Sequence, residues 1–68
     1  MYNEISATVK NLEKQRDRLL EELKKLEEEY KKGRMDEETY KNKRHSIERA
    51  IVEVMDRLAQ MNFLMGQT

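Results

Sequence analysis

Lys32-Gly33-Arg34-Met35-Asp36-Glu37-Glu38-Thr39-Tyr40 lies between two long apolar repeats and holds the one glycine far from an end of the chain. Gly33 suits the left-handed residue that closes a helix, and Lys31 and Lys32 suit the negative end of a helix dipole. Asp36 offers an N-cap oxygen, and Glu37 and Glu38 favour the first turn of a following helix. Met35 and Tyr40 have the spacing of a hydrophobic staple. The stretch therefore predicts a helix over about 2–32, a turn over 33–36 and a second helix over about 37–65, a single helical hairpin across 1–68.

Upstream of the turn, Tyr2, Ile5, Val9, Leu12, Leu19, Leu23, Leu26 and Tyr30 fall on alternating steps of three and four, with Arg16 as the polar interruption. Downstream, Tyr40, Ile47, Ile51, Val54, Leu58, Met61 and Met65 continue the repeat, interrupted by Arg44. Steps of three and four are those of a coiled-coil seam. The residues between are mostly Glu, Lys and Arg, and Glu21 with Lys25, Glu27 with Lys31 and Glu28 with Lys32 have the favourable helical order for ion pairs.

Folded back antiparallel, the seams meet at a constant sum of positions: Tyr30 with Tyr40, Leu23 with Ile47, Leu19 with Ile51, Leu12 with Leu58, Val9 with Met61 and Ile5 with Met65. This register puts Glu27 near Lys41 and Glu29 near Lys43. Arg16 and Arg44 are expected to lay their stems on the seam and send their heads to Glu13 and to Glu48 or Glu27. A straight helix would preserve the same heptad phase. A glycine inside it costs only about 1 kcal/mol. A short turn, however, holds the second arm at near-millimolar effective concentration, which favours closure by roughly 4 kcal/mol over pairing at micromolar chain. The expected fold is all-α, an antiparallel two-helix coiled-coil hairpin. A domain-swapped pair of straight helices would retain the same contacts.

The composition agrees. Among 68 residues, 37% are hydrophobic and 41% charged, with no proline, cysteine or tryptophan, which fits solvated helices bearing a narrow apolar seam. A chain this short rarely builds a self-sufficient core, and without cysteines the available support is self-association. The formal net charge is zero, so the long-range attraction to phosphate that a basic domain has is missing. Met1-Tyr2-Asn3-Glu4-Ile5 lacks a basic start and apolar core of a signal peptide, and no apolar run approaches the roughly 20 residues needed to span a bilayer. A cytoplasmic setting without membrane contact is expected.

From Leu26 to Ile47 the chain reads LEEEYKKGRMDEETYKNKRHSI. This third of the chain resembles the SHOCT-like short helical hairpins, whose pattern is leucine-rich, then glycine, an apolar residue, acids and an aromatic. It departs where Asp36 replaces the usual Ser or Thr. The resemblance implies a small accessory or oligomerisation module and carries no catalytic residue. The hairpin phosphatases of the sporulation pathway are similar in size and shape, but their Ser-Gln-Glu-Leu-Asp stretch has no counterpart; Ser46-Ile47-Glu48-Arg49 does not match it.

Candidate chemistry is sparse. His45 and Glu48 could share one helical face, but two groups fall short of a closed metal site, so His45 is expected on the surface. The carboxylates lack a pocket able to shift their pKa, and no Gly-rich phosphate loop or paired nucleophile and base occurs. No catalytic residue, cofactor, metal or small-molecule substrate is expected. Lys31, Lys32, Arg34, Lys41 and Lys43 around the turn offer an alternative contact to nucleic acid, with Arg44 and His45 close by, although Glu27, Glu28, Glu29, Asp36, Glu37 and Glu38 oppose their field. Finally, Val52, Met55, Ala59 and Phe63 step by three and four beside the second seam, and Leu20 projects from the first helix on the corresponding flank. A two-helix hairpin leaves this stripe uncovered. It is the expected interface of a homodimeric four-helix bundle, or of an unidentified protein partner; the methionines at 61 and 65 suit an adaptable surface.

Overall fold

The computed structural model describes residues 2–66, with side chains from Glu4 onward, as two helices joined by a short turn. The first, α1, spans Tyr2–Lys31 and the second, α2, spans Glu37–Leu64. The seam position assigned to the Tyr2 side chain lies outside the described residues. The molecule measures 48 × 15 × 14 Å. A helix the length of α1 is about 45 Å long at 1.5 Å per residue, so the two lie side by side; a continuous helix of the whole chain would reach roughly 100 Å.

The turn accounts for its own backbone groups. Gly33 has φ +73°, its N–H donates to the Tyr30 carbonyl at 2.9 Å, and the Arg34 N–H donates to the Glu29 carbonyl at 3.1 Å. This pair of bonds closes a helix in the Schellman manner. A Cβ on Gly33 would meet nothing within 4 Å, so the backbone conformation rather than lack of space selects glycine here. Asp36 then caps α2: in an extended conformation, φ −80° and ψ 167°, its carboxylate accepts from the Thr39 N–H at 3.2 Å. The rings of Tyr30 and Tyr40 stack across the turn, centroids 4.1 Å apart and 6° from parallel.

Leu12, Leu26, Val54 and Leu58 are buried. Leu12, Val54 and Leu58 form one cluster, against which Val9, Leu19 and Met61 pack. With Tyr30 on Tyr40 at one end and Val9 grouped with Met61 towards the other, the helices run antiparallel. The remaining described seam positions, including Ile5, Leu23, Ile47, Ile51 and Met65, are half-buried. This core is thin, as a single seam between two helices must be.

Ion pairs depart from the expected pattern: Glu21 with Lys25, Glu27 with Lys31 and Glu28 with Lys32 form no ion pair within 4 Å. Glu29 takes the Arg34 guanidinium at 3.1 Å and Glu37 takes Lys41 at 3.1 Å, so no ion pair within 4 Å joins Glu27 to Lys41 or Glu29 to Lys43. Neighbours on one helix, or around the turn, lie closer than the facing helix and capture these groups first. Likewise, Arg16 reaches Asp17 at 3.0 Å rather than Glu13, while Arg44 reaches Glu48 at 3.3 Å. Both arginines keep their heads in water, and among the described residues no charged or polar side chain is buried.

A candidate interaction surface

In α2 each residue turns the side chain by about 100°, so a second line of apolar residues with the same three-and-four steps sits roughly a third of a turn from the Val54–Leu58 edge. Val52, Met55, Ala59 and Phe63 occupy that line. Val52 is 58% exposed, Met55 48% and Phe63 68%, with Ala59 exposed between them. Leu20 of α1, 48% exposed, extends the patch, whereas its neighbours at one-heptad spacing on that flank, Glu13 and Glu27, are charged. The patch is therefore carried mainly by the half of α2 furthest from the turn. A 440 Å³ hollow opens there between Ala59, Gln60, Met61, Phe63 and Leu64. Leu64, 62% exposed, was absent from the sequence-based stripe because it belongs to the heptad line of Ala50 and Arg57 on the other side of the seam.

At the opposite end, Lys31, Lys32, Arg34, Lys41 and Lys43 are all exposed. Arg34 and Lys41 are held by Glu29 and Glu37, which leaves Lys31, Lys32 and Lys43 without an ion pair among the described residues. The stacking of Tyr30 on Tyr40 occupies one face of each ring that a base would otherwise use. Hydrogen bonding from Thr39, through its side chain and its amide, holds the Asp36 carboxyl below its ordinary pKa. Arg44 is shifted upward by its hydrogen bond to Glu48 and the charge of that carboxylate. Both shifts follow from structural contacts, a cap and a helix-surface pair.

His45 is exposed and lines a 360 Å³ hollow with Glu48, Arg49, Val52 and Glu53. The Glu48 carboxylate is engaged by Arg44, so the pair has no free ligand set, and no group of three or more His, Asp or Glu able to hold a metal occurs among the described residues. Among the described residues, too, no helix is long and apolar enough to cross a membrane. The fold and its surface define a class: an all-helical hairpin with one apolar flank left open. No family model, curated protein or solved structure matches the chain.

Proposed function

We propose that this chain is a non-enzymatic structural and protein-interaction module, in which two hairpins pair through the α2 stripe into a four-helix bundle with two-fold symmetry. The exposure of Val52, Met55 and Phe63 in one line carries this reading. Each such side chain gains about 1.5–3 kcal/mol on full burial, and these retain about half or more of that gain. A two-fold axis lays the stripe against itself, so that one surface serves both copies. Zero formal net charge means that the copies do not repel. The SHOCT-like pattern around the turn supports an accessory or oligomerisation role, and a cytoplasmic setting is part of the proposal. Sedimentation equilibrium of the chain beside a Met55→Glu, Phe63→Glu variant tests it. The parent is expected to be dimeric at tens of micromolar and the variant monomeric; a monomeric parent, or a variant that associates equally well, removes the homodimer and leaves the stripe to a different protein.

Lys31, Lys32 and Lys43, charged and free of ion pairs among the described residues, support a second reading, nucleic-acid binding at the turn together with Arg34 and Lys41. Titration with mixed DNA and RNA at low salt separates the two. Tight, steeply salt-dependent binding that is lost in a Lys31→Ala, Lys32→Ala, Arg34→Ala variant would favour this alternative.

A further inference from the structure

The flank of the hairpin on the other side of the seam from Met55 is concave. Near the turn a 550 Å³ hollow has Leu26, Met35 and Ile47 on its floor. A second, of 400 Å³, follows over Leu19, Ala50 and Val54, and Glu22 lines both, so the two adjoin as a shallow groove along this flank. Small side chains open it: α2 places Ser46 and Ala50 here, where the stripe flank has Glu48 and Met55. From Gln15 to Glu29 along α1 the groove runs about 21 Å, the length of roughly four helical turns.

Its rim is unbalanced in charge. Arg18, Lys25, Lys43 and Arg57 line it, all exposed and none in an ion pair among the described residues. The carboxylates facing them are Glu22, Glu29 and Glu53, of which Glu29 is already held by Arg34. We infer that this groove takes an amphipathic helix of a partner protein, its apolar edge on Leu26, Ile47 and Ala50 and its flanks acidic, as the third helix of a local bundle. A trough between two antiparallel helices is the surface onto which a third helix packs, and the surplus of cations selects acidic flanks. The inference deepens the interaction role proposed above and rests on it in one respect: pairing through the stripe leaves this flank facing solvent. A second copy fits less well, because its exposed stripe is bordered by Arg49, Gln60 and Asn62 along with Glu48, Glu53 and Asp56, and Glu48 is already held by Arg44.

The test uses the full chain and a synthetic peptide of about three heptads, with leucine and isoleucine at the seam positions and glutamate on both flanks, beside a version flanked by lysine. The glutamate-flanked peptide is expected to bind at least about tenfold tighter, shifting the amide resonances of Leu26, Ser46 and Ala50. Ala50→Gln, a substitution that suits a helix and fills the groove, is expected to weaken binding about tenfold with sedimentation unchanged. Lys25→Glu with Lys43→Glu is expected to reverse the preference between the peptides. The Met55→Glu, Phe63→Glu variant separates the two surfaces: it loses pairing and retains the peptide. Absence of binding, equal affinity for both peptides, indifference to Ala50→Gln, loss of the peptide in the stripe variant, or shifts confined to Val52, Met55 and Phe63 would each overturn the assignment.

Discussion

The two ends of the hairpin close their helices with the same device and then diverge. Gly33 and Gly66 have φ of +73° and +76°, and each donates its N–H to the carbonyl three residues back, Tyr30 and Phe63. At the turn this cap is followed by Asp36, a stacked tyrosine pair and an ion pair from Arg34 to Glu29, so that end is satisfied by its own chain. At the open end no chain crosses over within the described residues. There the Leu12, Val54 and Leu58 cluster holds the helices together, and Phe63 and Leu64 remain in water. Local signals complete one end of this molecule; the other is held by packing, and its surplus apolar surface is the ground for the proposed pairing.

The largest expected effect lies in that cluster. Leu12→Ala removes a 5% exposed side chain packed across the seam and is expected to cost about 2–5 kcal/mol in denaturant unfolding. Leu26→Ala, equally buried but outside the cluster and beside the covalent turn, is expected to cost less. Equal losses, or a larger loss at Leu26, would break the contrast between the ends.

The glycines sharpen it further. Gly33→Ala forces a left-handed alanine and is expected to cost about 1–2 kcal/mol, because the turn fixes that conformation. Gly66→Ala, with the same φ, is expected to cost well under half as much, since the last turn of α2 is free to relax. Thermal unfolding of both variants measures the difference, and scattering on Gly33→Ala beside the parent reports whether the longest dimension is unchanged. Matching losses would mean that backbone strain alone, not its coupling to the turn, decides stability.

The smallest effect is at the N-cap. Asp36→Ala is expected to lower the melting temperature by about 5 °C, while Asp36→Asn, which keeps an accepting oxygen, lowers it less. Hydrogen bonding from Thr39 lowers the Asp36 pKa in the folded state, so its contribution is full above the unfolded-state value and is lost as pH falls through the folded one. Parent and Asp36→Asn are therefore expected to differ in their acid dependence and to converge at low pH. Parallel curves would contradict the cap.

The features that were legible in advance are those set by neighbours in sequence. Gly33, Asp36 and the steps of three and four gave the turn, both helices and the facing of Tyr30 with Tyr40, because each depends on backbone geometry within a few residues. The exposure of Leu20, Val52, Met55, Ala59 and Phe63 follows from the same periodicity once one seam is assigned to the partner helix. Ion-pair partners were less legible: Arg16 and Glu29 sit on exposed, long-armed positions where several acceptors or donors lie within reach, and rotamer choice decides. The groove over Leu26, Ile47 and Ala50 was invisible, since two small residues on one helix make a hollow only when the other helix forms its opposite wall. Leu64 was missed for a related reason, lying one heptad beyond Arg57 on that same wall.

Pairing through the stripe is tested most directly by isotope-filtered nuclear Overhauser spectroscopy on a mixture of labelled and unlabelled chain. Contacts between the Phe63 ring of one copy and the side chains of Val52, Met55, Ala59 or Phe63 of the other are expected. A dimeric sample in which those contacts are absent, or in which the cross-copy contacts fall on Leu26 and Ile47 instead, would contradict it.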